Sequence, residues 1–466
     1  MATYRTPGVY VEEISTLPPS VAEVATAVPA FIGFTEIGPE PKAAPVVQRV
    51  ATMLEFETAF GGPQPAAFTV TQPVDDKGKA VGEPSVARVA PAKPFALYYA
   101  LAHYFRNGGG PCYVVSVGHY GATPSADHFA VDGLGALEKE DEPTLIVLTD
   151  AACLLSPANY YAVCGAALGQ CRKLGDRFTL IDVARSDPKA DVDTFRNSSD
   201  LSINLMYGAA YHPYLQTSLA WRYDEAGVSV VRQPPAGNPG GAAPALTLAD
   251  IKSGDKSDTG LYNKARGLLD EHLVVLPPSA AVAGIYARVD RERGVWKTPA
   301  NVGVMAVLGP VAKITDDEQD RLNIDPIAGK SINAIRAFTG KGTLVWGGRT
   351  LAGNDNEWRY VSVRRLFITI EESTRKASAF AVFEPNDQAT WLKVKAMIES
   401  YLYGLWEQGA LAGAKPEAAY SVHVGLGSTM TPQVVLEGRM VVEIGVAAVR
   451  PAEFIVLRFS HKLQTA

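Results

Sequence analysis

TLIVLTD (Thr144–Asp150), NYYAVCGAALGQCRKLG (Asn159–Gly175) and RFTLIDV (Arg177–Val183) follow one another and decide the fold. The first and third are short apolar runs of buried-strand length. The middle stretch reads as a helix with Arg172 and Lys173 near its end, where cations suit the dipole. Strand, helix, strand at this spacing predicts a largely parallel α/β sheet. Working outward, VPAFIGF (Val28–Phe34) and CYVVSV (Cys112–Val117) are further strands. FALYYALAHYFRNGG, from Phe95, is a helix stopped by Gly108–Gly110. Residues 61–94 are rich in Pro and Gly, with a DDKG turn between two strand-like runs, and read as a surface hairpin. Residues 224–260 read as a long surface insertion. LSINLMYGAAY and HLVVLPP supply more strands or buried segments.

The character changes beyond Ala280. AVAGIYARVD reads as a helix, SINAIRAF as a short helix, GTLVWGG and EWRYVSVRR as strands, and FITIEESTRKASAF as a helix. Asn386 or Asp387 is a fitting N-cap for a helix from Ala389 to about Gln408. Its apolar stripe is Trp391, Val394, Ile398, Leu402 and Leu405. QVVLEGRMVVEIGVA reads as a hairpin turning at Glu437–Arg439. Two short strands stand alone at the ends of the chain. Val9, Tyr10, Val11 and Glu12 lie between Pro7 and the Pro18–Pro19 pair. Phe454, Ile455, Val456, Leu457, Arg458 and Phe459 follow Pro451. A lone strand is marginal until it joins a sheet, its own or another subunit's.

The bulk numbers narrow the function classes. The chain has 466 residues, 47% of them hydrophobic, and its net charge of −6 argues against a nucleic-acid binder driven by bulk charge. Cys112, Cys153, Cys164 and Cys171 form no CxxC pair, and read as reduced core thiols of a protein made in a cytosol. MATYRTPG has no apolar core, so no signal peptide is expected. AGKS (Ala328–Ser331) and TGKGT (Thr339–Thr343) resemble the end of a phosphate loop, but Ile324 and Ile335 stand where its first glycine belongs. GLGSTM lacks the third glycine of a dinucleotide fingerprint. There is no GxSxG elbow and no HExxH, and the seven histidines are scattered. Neither cofactor nor metal is expected. Asp150 and Asp182 close apolar strands on the edge where α/β enzymes place ligands, and are the candidates for a soluble hydrolase-like enzyme. The competing reading makes each a cap for the next helix or turn. GVWKTPAN (Gly294–Asn301) and WGGRTLAG (Trp346–Gly353) read as a ligand site or as tight structural turns.

Several stretches then come in a telling order. They are PGVYVEEI, AVPAFIGFTE, NGGGPCYVVSV, GDRFTLIDV, VLPPSAAVAGIYARVDRERGVWKTPAN, SINAIRAFTGKGTLVWGGRTL, EWRYVSVRRLFITIEES and AVFEPND. From residue 6 to about 430 the chain resembles the contractile tail sheath family of phages, R-type bacteriocins and extracellular contractile injection systems. The resemblance implies a structural part rather than an enzyme. It implies an N-terminal strand arm and linker (1–25), an outer α/β domain with surface insertions (26–280), an inner α+β domain (281–450) and a C-terminal strand arm (451–466). The arms would join sheets of neighbouring copies, which stack as hexameric rings around an inner tube. Implied partners are those copies, the tube protein, and baseplate and tail-terminator or cap proteins, with a sheath paralogue left open. Nucleic acid and direct membrane insertion are not implied. The implied location is the bacterial cytoplasm at synthesis, then a phage tail or a released particle. Lys393, Lys395 and Glu399, on the helix from Ala389, are candidates to face the tube; the alternative is a core helix with a solvated charged face.

Overall fold

The computed structural model describes residues 21–40, 43–75, 78–91, 93–185, 188–234, 246–253 and 256–455. The arm residues Val9 to Glu12 and Val456 to Phe459 lie outside them. The described chain forms two compact units, residues 25–369 with 450–455, and residues 370–449 with 21–24. The helix Val361–Ala377 begins in the first and ends in the second.

The strands in chain order are β1 (Pro29–Thr35), β2 (Val46–Val50), β3 (Ala67–Pro73), β4 (Ser85–Ala90), β5 (Cys112–His119), β6 (Leu145–Val147), β7 (Phe178–Asp182), β8 (Gly208–His212) and β9 (Leu215–Ala220). Then come β10 (Ser229–Gln233), β11 (Leu246–Thr247), β12 (Leu273–Leu276), β13 (Val302–Gly303), β14 (Val307–Pro310), β15 (Ile332–Phe338), β16 (Gly342–Val345), β17 (Tyr420–Val424) and β18 (Val442–Val446). The larger unit is built on a nine-stranded sheet of order β13-β16-β15-β8-β7-β6-β1-β5-β2. Its middle, from β15 to β5, is parallel throughout; β2, β16 and β13 add antiparallel edges. Every residue of β1, β6, β7 and β8 is buried, as continuous apolar runs in parallel sheets are. From β1 the chain goes to β5 on one side and returns to β6 on the other, so the order reverses between β1 and β6.

The two regions read as separate insertions form one small sheet, β11-β10-β3-β4. β3 and β4 are the expected hairpin. β10, from the second insertion, runs parallel to β3, and Phe68, Val70, Val230 and Ile251 share a core. A third sheet, β12-β9-β14, completes this unit.

Three expected elements are different. SINAIRAF is the strand β15, not a helix: its backbone bonds go to β8 and β16, whose partners the sequence could not display. EWRYVSVRR is not a strand. From Val361 it opens the 17-residue helix that continues through FITIEES. QVVLEGRMVVEIGVA is not a hairpin. Pro432–Leu436 is a short helix capped by Thr431, and Val442–Val446 pairs with Tyr420–Val424 upstream.

In the smaller unit Asp387 caps the helix Gln388–Glu407 by accepting from the Thr390 amide at 3.0 Å. Val394, Met397, Ile398, Leu402 and Leu405 are its buried apolar residues, and it packs on β17 of the antiparallel pair β17–β18.

Candidate assembly interface

Asp150 and Asp182 are fully buried and fully engaged. Asp150 accepts the Ala96 amide at 2.6 Å and the Phe34 amide at 2.9 Å. The helix Leu97–Arg106 begins at Ala96, which has no side-chain cap of its own. Asp182 accepts the Ser279 amide at 2.8 Å and the Ser279 hydroxyl at 2.6 Å, at the start of the helix Ser279–Arg293. Each carboxylate caps a helix distant in sequence, satisfying donors that would otherwise be orphaned and complementing the helix dipole. Asp150 also fills the crevice where the strand order reverses. A Cβ on Gly33 would stand 2.7 Å from its Oδ2, so only glycine admits it.

Burial raises both carboxyls to about 7, against the donors that pull them down. An aspartate in the unfolded chain titrates near ~3.9. A folded-state value above the unfolded one means that the native chain binds the proton more tightly. The contribution is complete below about pH 4 and is lost as the pH rises to about 7. Urea midpoints of the native chain and of Asp182→Asn, taken from pH 4.5 to 8, test this. The native chain should lose stability relative to the variant as the pH climbs; parallel curves would refute the assignment.

The other chemical candidates are structural. Lys330 of AGKS is buried and donates to the Arg196 and Ser198 carbonyls at 2.7 and 2.9 Å. TGKGT is the β15–β16 turn, with Gly340 and Gly342 at φ 76° and 75°. GVWKTPAN and WGGRTLAG pack on each other: a Cβ on Gly348 would lie 2.1 Å from Thr298 Cγ2. Among the described residues no cluster of three or more His, Cys, Asp or Glu could hold a metal.

Two buried arginines hold the first and last described segments of the larger unit, and the sequence reading missed both. Arg365 forms a two-pronged ion pair with Asp290, at 2.5 and 3.0 Å, with both side chains almost wholly buried. It also donates to the Thr26 carbonyl at 2.8 Å and lies 4.6 Å over the Tyr286 ring. Burial pulls its pKa down; Asp290 outweighs that and holds it above the ordinary arginine value. Arg349, from WGGRTLAG, grips Glu453 at 2.6 and 2.9 Å, while Asn323 and Tyr360 donate to the same carboxylate at 2.8 and 3.2 Å. Glu453 is held below the usual carboxylate range: burial acts upward, and the hydrogen bonds from Arg349 and Asn323 outweigh it. The next residues, Phe454 and Ile455, are 68% and 80% exposed and in no strand. The only sign in the sequence was the density of basic and aromatic residues in WGGRTLAG.

The smaller unit offers an unfinished sheet. β17 and β18 pair only with each other among the described strands, and a two-stranded ribbon is marginal alone. On the Gln388–Glu407 helix, Lys395 pairs with Glu399 at 3.7 Å, one turn away, and Lys393 is exposed.

Residues 353–462 match the family model of the phage tail sheath C-terminal domain. Over nearly their whole lengths, the chain is 32% identical to one in the anti-feeding prophage helical sheath in its contracted state (TM-score 0.65, 99% of this chain and 100% of that one). It is 30% identical to one in the contracted sheath complex of the PVC extracellular contractile injection system (TM-score 0.63, 100% and 99%). The chain belongs to the contractile tail sheath family. Among curated relatives, the tail sheath protein of Vibrio phage KVP40 is 26% identical over 40% of this chain and 26% of its own length. That of Burkholderia phage BcepMu is 32% identical over 30% of each. The matched region thus spans about a quarter to a third of those phage proteins. Membership in a family of structural sheath proteins, together with the complete use of Asp150 and Asp182 as caps, leaves the hydrolase alternative without support. Among the described residues, no helix of this sheath-family chain is long and apolar enough to cross a membrane.

Proposed function

We propose that this chain is the repeating subunit of a contractile sheath, stacking as hexameric rings around an inner tube and driving that tube through a target envelope when it shortens. The full-length likeness to two contracted sheath chains carries this reading. The arms join neighbouring copies: the segment rooted at Glu453 and the N-terminal strand Val9–Glu12 add to the open edges of β17–β18. β-Augmentation through main-chain hydrogen bonds survives rotation of the bodies it links. Such head-to-tail contacts build rings or open helices rather than closed dimers. Contraction is then rigid-body movement about the linkers, with outer faces forming new contacts, and it needs no nucleotide. Lys393, beside the Lys395–Glu399 pair, faces the tube. The tube, baseplate and terminator proteins are the remaining partners, in a phage tail or a released particle.

Negative-stain electron microscopy of the purified full chain tests the reading. Long tubes of uniform width are expected. Discrete particles at every concentration up to the solubility limit would sink it.

A further inference from the structure

An open cavity of about 370 Å³ lies in the larger unit, where the two inserted regions meet the main sheet. Arg88 comes from β4, in the first insertion, and Lys93 follows it. Trp221 and His272 bracket the second insertion. Arg185 stands just beyond β7, off the carboxyl end of a parallel strand, where open α/β sheets bind ligands.

The lining is one-sided in charge. It holds three permanent cations and no Asp or Glu, in a chain whose acidic residues outnumber its basic ones, 49 to 43. Exposed lysines nearby have carboxylates: Lys252 pairs with Glu225 at 2.7 Å and Lys264 with Glu83 at 2.8 Å. The cavity cations have none among the described residues. Lys93 donates to the Leu154 and Leu155 carbonyls at 3.1 and 3.3 Å, which fixes its position, and it pairs with no described carboxylate. The Arg88 guanidinium lies 4.9 Å over the Trp221 ring and donates to the Pro91 carbonyl. A guanidinium has five N–H donors, so this bond leaves most of them for another acceptor. Arg185 is exposed and has no hydrogen bond or ion pair among the described residues. His272 donates from Nε2 to the Val86 carbonyl at 3.1 Å and closes the wall.

Like charges converging without a described counterion repel, and an arginine already stacked on an indole is preorganised for two-pronged contact with a carboxylate or phosphate. We propose that this cavity binds an oxyanion, carboxylate or phosphate, between Arg88, Lys93 and Arg185. Two sources share that chemistry: a free polyanion, and an acidic side chain of a neighbouring copy. The site and its free-anion source rest on the two insertions alone; only the neighbouring-copy source rests on the proposed sheath assembly.

The first arm titrates the unassembled full chain with pyrophosphate at constant ionic strength and reads indole fluorescence; Trp221→Phe identifies the local signal. A saturable change is expected, weakened about tenfold or more in Arg185→Gln, the scale of a lost hydrogen bond to a charged group. Arg185 makes no described bond, so the fold does not depend on it; Lys93→Gln is a second variant. The second arm compares tube yield for native chain and Arg185→Gln. Binding by the free chain, weakened in the variant, assigns a free anion. No binding, with tube yield at least tenfold lower in the variant, assigns the neighbour's carboxylate. Equal binding by both chains, or no binding with unchanged tubes, overturns the proposal.

Discussion

A chain lacking residues 1–17 is expected to remain folded and to form no tubes under conditions where the full chain forms them. The deletion removes Val9–Glu12 and stops short of Pro18 and Pro19. The first described residues begin at 21, and the Val24 amide that donates to Ser373 Oγ at 3.2 Å is untouched. No described contact of either unit is lost, so the stability from urea unfolding should change by less than about 0.5 kcal/mol, as for a surface change. In the proposed assembly, each copy would lose one donated strand. Each net backbone hydrogen bond contributes on the order of 1 kcal/mol, and a strand of this length makes several. Because every junction in a tube repeats the loss, growth should fail outright. Val11→Pro is the milder form, removing one ladder donor. Tubes from the truncated chain at the same concentration would refute the strand's role and leave the subunit reading standing.

Arg365→Met should destabilise the chain by about 3–5 kcal/mol, because it strands a buried carboxylate. Asp290 is almost wholly buried, and its ion partner is the bidentate Arg365. Removing the guanidinium also leaves the Thr26 carbonyl without that donor. The double change Arg365→Met with Asp290→Leu removes both charges and should recover most of the loss, since an apolar pair of similar volume is often as stable as a buried ion pair. Urea unfolding of the three chains is the measurement. A loss under about 1 kcal/mol in the single variant, or no recovery in the double, would show that water reaches the pair. Recovery of stability without recovery of tubes would assign Arg365 a further part in holding the root of the N-terminal arm.

The strands that proved legible share one property. Pro29–Thr35, Cys112–His119 and Phe178–Asp182 are continuous apolar runs bounded by turn residues, and burial on both faces permits little else. The same logic found the Gln388–Glu407 helix from its stripe and its Asp387 cap. It failed where partners are far apart in the chain. Ile332–Phe338 is rich in Ala and Ile and reads as a helix, yet it is completed by β8 and β16. In EWRYVSVRR the alternation suggests a strand. Arg364 and Arg365 are buried, Arg364 stacked 4.5 Å over Trp358 and Arg365 paired with Asp290. Charges inside a helix interface defeat a polarity pattern.

The chain by itself determined the parallel α/β centre and the lack of a complete catalytic motif. These follow from local composition and spacing. Only the tertiary structure decided that two insertions make one sheet, that Asp150 and Asp182 cap helices 54 and 97 residues away, and that Glu453 is clamped by Arg349. Hydrogen bonds and ion pairs between distant residues depend on where the chain brings them, and burial then makes each one costly to leave unmade.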